Sequence, residues 1–306
     1  MKCIRSDVGL DFPEGTAVTL GKFDGVHLGH RKLVEIVKEK AKFYNVKPVV
    51  FTFDGLPESI VPKDKQKFLT LSYEREKIFR ELGMEVLIEY PFTESFMHME
   101  PEVFIDEILV HRLKARVIVV GDDYRFGNGR RGDINMLVNM APVYGYEAIV
   151  IKKERFEDRE ISSTFVREEL SVGHMETVNM LLKRPFSITG RVVTGKQLGR
   201  TLEIPTVNVI PDIHKLLPPY GVYTSQIIVE GKCYNGVSNL GVKPTVSDDG
   251  TVNLESFIFD FDGDLYGKEI EVFLKHFQRP EMKFKSVEDL VKQMNSDIEF
   301  AKAFAL

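Results

Sequence analysis

Residues 17–43, AVTLGKFDGVHLGHRKLVEIVKEKAKF, decide the fold. Ala17, Val18, Thr19 and Leu20 read as a short buried strand. After them Leu33, Val34, Ile36, Val37 and Ala41 recur at helical spacing among lysines and glutamates. The turn between strand and helix carries two histidines, His27 and His30, with Gly29 between them. Such a turn leaves backbone N–H groups without intrahelical partners, and the helix dipole adds positive potential there. The stretch therefore reads as an anion-binding corner of an α/β layer.

Working outward, the same grammar continues to about Lys183. Strands are expected at 46–53, 84–90, 115–121 and 146–152, and helices at 28–43, 73–82, 102–112 and 133–140. Apolar strands separated by helices predict a parallel sheet covered on both faces. Ligands then bind beyond the carboxyl ends of strands, where the strand order reverses. GKFDGVHLGH (21–30) and GDDYRFGNGRRGD (121–133) both follow strands and are expected to share one cleft.

Past Arg184-Pro185 the pattern becomes β-rich and glycine-punctuated: FSITGRVV, YGVYTSQIIVEGKCYNGVSNLG, TVNLESFIFDF and IEVFLKHF. Short strands without intervening helices predict an antiparallel barrel or sandwich, closed by a helix from about Ser286. The fold class expected is α/β plus β, with domains at 1–184 and 185–306 and a helical connector around 163–183.

Bulk properties narrow the function classes. The chain has 306 residues, 43% of them hydrophobic, and a formal charge of -5. No basic field suited to coating nucleic acid dominates. Cys3 and Cys233 lie far apart and give neither a metal spacing nor a disulfide framework, as expected in a reducing cytoplasm. Neither a secretory leader nor an apolar run of about 20 residues is read, so a cytoplasmic protein without a membrane partner is expected.

Four further strings bear on chemistry, and three keep a reading. In ISSTFVR (161–167), Ser162, Ser163 and Thr164 suit helix capping. Arg167, one turn on, also lets them form a second phosphate cradle. GRVVTGKQ (190–197) nearly spells a phosphate-binding loop, but Gln197 replaces the required hydroxyl and no helix pattern follows, so that reading is rejected. In GKQLGRTLEIPTVNV (195–209), Pro205 would open an edge strand with Thr206 and Asn208 on one face. That face is an ordinary alternation, or it is a pair of neutral oxygen ligands for a magnesium–nucleotide complex. In TVNLESFIFDFDGDLYG (251–267), Glu255 would share a strand face with Phe257, Phe259 and Phe261. It reads as a salt-bridged surface carboxylate or as a general base.

HLGH resembles the H-x-G-H signature of the nucleotidyltransferase superfamily, and ISSTFVR resembles its distal phosphate motif. GKFDGVHLGHRKL and VGDDYRFGNGRRGD are similar to the adenylyltransferase module of the bacterial bifunctional riboflavin kinase/FMN adenylyltransferase (FAD synthetase) family. GRTLEIPTVN and LESFIFDF resemble that family's kinase module, and RPEMKFKSVEDLVKQMNSD (279–297) its closing segment. The resemblance covers nearly the whole chain in the right order. It implies a Rossmann-like nucleotidyltransferase domain followed by a riboflavin kinase-like β-barrel. It implies phosphorylation of riboflavin by ATP to FMN and ADP in the second domain. The first domain would then adenylylate FMN with another ATP to give FAD and pyrophosphate.

The resemblance assigns roles residue by residue. His27 and His30 would be catalytic, holding ATP phosphates along with Gly21, Phe23, Asp24, Gly25, Gly29, Ser163, Thr164 and Arg167. Asp123, Arg125 and Phe126 would flank the flavin, although Phe126 also reads as a core aromatic. In the barrel, Gly195, Gly199 and Arg200 would cradle nucleotide, Thr206 and Asn208 would hold Mg²⁺ and phosphate, and Arg279 would touch flavin. Glu255 would activate the riboflavin hydroxyl. The ligands implied are riboflavin, FMN, FAD, ATP and ADP, with Mg²⁺ as cofactor, no nucleic acid, and a monomer or weak oligomer.

Three departures bear on this. FTFDGLPES (51–59) lacks a His common between two prolines in the family, Glu203 stands where glycine is usual, and Phe257 stands where His is common. HLGH is also found in class I aminoacyl-tRNA synthetases, but their lysine-rich loop is not evident here. A flavin-binding regulator with a decayed kinase barrel, or a protein keeping one activity, are the remaining alternatives.

Overall fold

A computed structural model describes residues 1–53, 55, 62, 65–194, 204–242 and 251–304. It divides into two compact units, Met1–Ser163 and Thr164–Leu306.

The first unit is built on six parallel strands: β1 (Lys2–Ile4), β2 (Thr16–Leu20), β3 (Lys47–Phe53), β4 (Val86–Tyr90), β5 (Ala115–Gly121) and β8 (Glu147–Ile151). Their order across the sheet is β1-β4-β3-β2-β5-β8. The chain thus builds outward from β2 through β3 to β4, then returns to add β5 on the other side of β2. The order reverses between β2 and β5, which pair through Thr19 and Val119. This junction is where an open α/β sheet binds ligands. The loops leaving the carboxyl ends of these two strands are the two glycine-rich strings of the sequence. Two antiparallel ribbons, β6 (Arg125–Phe126) with β7 (Gly132–Asp133) and β9 (Arg155–Phe156) with β10 (Arg159–Glu160), escaped the sequence reading because each strand has only two residues.

Both sheet faces are covered, as a parallel sheet requires. On one side α1 (Leu28–Tyr44) and α2 (Ser72–Glu81) bury Leu33, Val34, Val37, Ile78 and Phe79 against Ala17, Val50 and Val117. On the other, α4 (101–112) and α5 (Ile134–Tyr144) pack with Phe51, Ile88 and Ile118, and a short α3 (Glu94–Met97) adds Phe96. Helix α4 starts with Pro101 in its first turn, where no amide is needed. It then runs as a π-helix from Phe104 to Arg112, burying Phe104, Ile105, Ile108 and Leu109. The sequence predicts a helix here but not the wider winding.

Helix α6 (Ser163–Ser171) begins on the last residue of the first unit; its remainder and α7 (Met175–Leu182) belong to the second unit, where a closed antiparallel barrel follows. Its strands are β11 (Phe186–Val193), β12 (Thr206–Val209), β13 (Gly221–Val229), β14 (Lys232–Val242), β15 (Val252–Ile258) and β16 (Glu269–Pro280). They close in the order β11-β12-β15-β14-β13-β16. The unit boundary lies earlier than 184/185 because the connector packs with the barrel: the Asn179 amide donates to Leu274 O (3.1 Å) and accepts from Phe186 N (2.7 Å). Helix α8 (Val287–Phe304) packs Ile298 and Ala301 with Ile204 and Phe259.

Two expectations for the barrel need correction. Pro205 does not open an edge strand, because β12 is hydrogen-bonded on both sides, to β11 and β15. Closure removes edges, and Pro205 is tolerated because it stands just before the ladder. The shared face of Glu255 extends only to Phe257, because β15 ends at Ile258 and Phe259 lies in the following turn.

Candidate active sites

In the first unit the loop after β2 is drawn tight by its own side chains. The Asp24 carboxylate accepts from the backbone amides of Leu69 (2.8 Å) and Thr70 (3.2 Å), and Thr70 Oγ1 accepts from Gly25 N (3.0 Å). Gly25 adopts φ +84°, a conformation open to glycine, and Phe23 and Val26 also take positive φ. The fully buried Phe23 ring rests on Phe79 (centroids 5.5 Å) and on His30 (4.9 Å). Asp24 and Phe23 thus shape the loop from behind. No sequence pattern pointed to Leu69 or Thr70, which pin it from 45 residues away.

His27 is the N-cap of α1 but makes no side-chain cap, so its imidazole is not spent on the helix end. It stacks on His30 with ring centroids 3.7 Å apart. Gly29 leaves room for this: a Cβ there would stand 3.3 Å from the His27 ring, which would have to give by a few tenths of an ångström. Gly21 plays the same part for Phe23. The first turn of α1 contains no acidic residue, so its amides and dipole remain unopposed by a carboxylate on the helix. Ser163 closes the arrangement by donating from Oγ to Asp24 O (2.8 Å). Thr164 and Arg167 follow along α6, in the part that the unit boundary assigns to the second unit.

The loop after β5 leads into the β6–β7 ribbon. Asp123 pairs with Lys153 (2.9 Å), and Arg125 pairs with Asp133 (2.8 Å), which also caps α5 through Met136 N (3.0 Å). That backbone bond, with Arg125, holds the Asp133 carboxyl below the usual range. Phe126 is 6% exposed, between Phe104 (5.5 Å) and a stacked Tyr124 (5.7 Å). Its ring belongs to the core of the sheet's second face.

In the second unit, Thr206 and Asn208 of β12 lie opposite Phe257 and Glu255 of β15. The Thr206 hydroxyl donates to Glu255 Oε1. Asn208 is buried, and its Oδ1 accepts from Asn253 Nδ2 (2.9 Å). One outer face of the barrel thus gathers a hydroxyl, two amides and a half-buried carboxylate. This all-oxygen donor set, including a buried Asn253 Oδ1 with no hydrogen-bond partner among the described residues, fits a hard cation such as Mg²⁺. Arg279 is held elsewhere: its Nε and an Nη grip the Asp297 carboxylate (2.7–3.2 Å) and its other Nη donates to Pro280 O (3.1 Å). Gly195, Gly199, Arg200 and Glu203 lie outside the described residues.

Two family profiles match in tandem, FAD synthetase over residues 10–165 and riboflavin kinase over 182–305. The curated bifunctional riboflavin kinase/FMN adenylyltransferase of Haemophilus influenzae is 35% identical, over 95% of this chain and 94% of its own. The enzyme of the same description from Escherichia coli K12 is 36% identical, over 95% and 93%. A crystal structure described as a macrolide-efflux protein from Streptococcus pneumoniae aligns with a TM-score of 0.89 at 29% identity, over 98% of both chains. Among the described residues of this chain, no helix is long and apolar enough to cross a membrane.

Proposed function

The chain belongs to the bifunctional riboflavin kinase/FMN adenylyltransferase family, and from that premise we infer how its two reactions are divided. It transfers phosphate from ATP to riboflavin, giving FMN and ADP, and then the adenylyl group of a second ATP to FMN, giving FAD and pyrophosphate. We assign the first reaction to the barrel and the second to the His27–His30 corner.

The observation that carries this division is the different fate of two carboxylates. Glu255 faces Thr206 on an outer face of the barrel, where a base is useful. Riboflavin offers a neutral hydroxyl. As its oxygen bonds to the γ-phosphorus and the bond to the ADP oxygen breaks, its proton passes to Glu255. Asp24, beside the histidines, is buried and commits Oδ1 to two backbone amides, so its role is to shape the loop. No base is needed there, because the FMN phosphate is already anionic. It bonds to the α-phosphorus as pyrophosphate leaves, and the corner supplies positioning and donors for the charge of the leaving group.

Thr206 and Asn208 would hold Mg²⁺, which when bound neutralises phosphate charge. His27, His30 and the α1 amides would meet the triphosphate, and motif likeness alone extends this role to Ser163, Thr164 and Arg167. Gly195, Gly199 and Arg200 are proposed for nucleotide on the same basis. Asp123 and Arg125 are the proposed flavin neighbours. Phe126 supports the ribbon that carries Arg125, and Arg279, whose guanidinium is held by Asp297, is proposed for flavin by motif likeness alone. The reaction is assigned to the cytoplasm and to a monomer or weak oligomer, without nucleic acid.

Chromatography of riboflavin incubated with ATP, Mg²⁺ and the full chain tests the scheme. FMN followed by FAD is expected. Absence of FMN, with FAD still made from added FMN, would remove the barrel's assignment.

A further inference from the structure

On the outer face of β15, Asn253 precedes Glu255 by two residues and points the same way. It is 5% exposed. Its Nδ2 is engaged with Asn208 Oδ1, whereas its own Oδ1 is buried without a hydrogen-bond partner among the described residues. Packing alone does not account for this, because a buried carbonyl oxygen that has lost water and gained no donor opposes folding.

The residue across the ladder deepens the point. Gly241 pairs with Asn253 on β14, and the Glu281 carboxylate occupies the place where a Cβ of residue 241 would stand. A second oxygen acceptor thus comes to the register position facing Asn253. Acceptors gathered on the face that carries Thr206, Asn208 and Glu255 suit a hydrated cation, whose bound waters are strong donors.

We propose that Asn253 is a positioning residue of the barrel's cation–nucleotide site: it orients the Asn208 amide through Nδ2 and turns Oδ1 toward the water shell of a divalent cation. The inference rests on the assignment of Asn208 as a cation ligand. Asn253 acts through Asn208 and through water, so it raises cation–nucleotide affinity without touching the flavin.

The test uses the full chain, with Mn²⁺ and ADP as probe and the paramagnetic signal of free Mn²⁺ as readout. Asn208→Ala defines the share of binding owed to the barrel. Asn253→Leu and Asn253→Ser are expected to weaken that share about ten-fold or more, the range in which loss of an outer-shell partner falls. Ligand-free Asn253→Leu should still melt cooperatively, because the acceptor it strands on Asn208 is offset by the unpartnered Oδ1 it removes, and KM should rise for MgATP but not for riboflavin. A folded Asn253 variant that binds Mn²⁺ with the wild-type constant, while Asn208→Ala does not, would overturn the inference alone. An unchanged isotherm in Asn208→Ala would overturn the cation assignment and the inference with it. Should the leucine variant lose its melting transition, the serine variant decides.

Discussion

The imidazoles of His27 and His30 lie face to face, with centroids 3.7 Å apart and planes 18° from parallel. Phe23 backs His30, and Gly29 leaves the room in which His27 turns over it. In the proposed scheme the pair presents donors to the triphosphate at a helix N-terminus, so its removal should cost transition-state stabilisation and leave the barrel intact. The variant His27→Ala plus His30→Ala is expected to form FAD from FMN roughly 100- to 1,000-fold more slowly, with FMN formation from riboflavin largely unchanged. Product chromatography on the folded variant checks this. Equal loss of both activities would count against separate sites.

Glu255 should behave in the opposite sense. Replacing it by glutamine keeps an acceptor for the Thr206 hydroxyl but removes the base. Phosphorylation of riboflavin should fall roughly 100- to 10,000-fold while adenylylation of supplied FMN is spared. A wild-type kinase rate in Glu255→Gln would take the proton-transfer role away from this residue.

The α/β-then-barrel order and the two motif-bearing corners were legible because they rest on local signals. Residues 17–43 show a strand, a glycine turn and a helical stripe in one span, and Thr206 and Asn208 alternate on one strand. What was not legible depends on contacts between distant segments. Thr70 matters through Gly25, and Asn253 through Asn208, each 45 residues away. Phe126 stands in a string similar to a flavin site, yet the sequence cannot show that Phe104 and Tyr124 enclose its ring. Pro205 signals an edge, but only barrel closure decides whether an edge exists.

The packing of Phe126 gives a prediction of its own. Phe126→Ala should destabilise the first unit by about 3–5 kcal/mol, the usual cost of truncating a buried ring. Phe126→Leu should recover much of the loss and keep the wild-type KM for FMN. Denaturant unfolding and steady-state adenylylation measure the two quantities. A stable Phe126→Leu protein with a sharply raised KM would return the ring to the flavin.

Arg279 and Asp297 form a bidentate pair between β16 and α8, with Gln293 adding a bond to the same carboxylate (2.9 Å). Asp297→Ala strands a guanidinium at the helix–barrel seam, so a loss of about 3–5 kcal/mol is expected. Arg279→Ala should cost a similar amount, and the double variant less than the sum. Strictly additive losses in urea unfolding would show that the pair is not coupled.

Glu89 supplies the pH dependence of the first unit. Its carboxylate is 1% exposed on β4. Burial alone would push its pKa up, but Arg75, Ser72 and Arg5 surround the charge and outweigh burial, leaving it below the usual carboxylate range. A carboxylate held low in the folded state adds stability above its unfolded pKa, near 4.5, and loses it as pH falls through the lower folded value. Urea midpoints of the wild type should therefore decline as pH drops below about 4.5. Glu89→Gln removes this contribution to the acid limb. It should also lower stability at neutral pH by about 3–5 kcal/mol, because Arg75, itself buried, loses its counter-charge. If the two proteins gave parallel midpoint-against-pH curves, the acid sensitivity would have to come from other carboxylates.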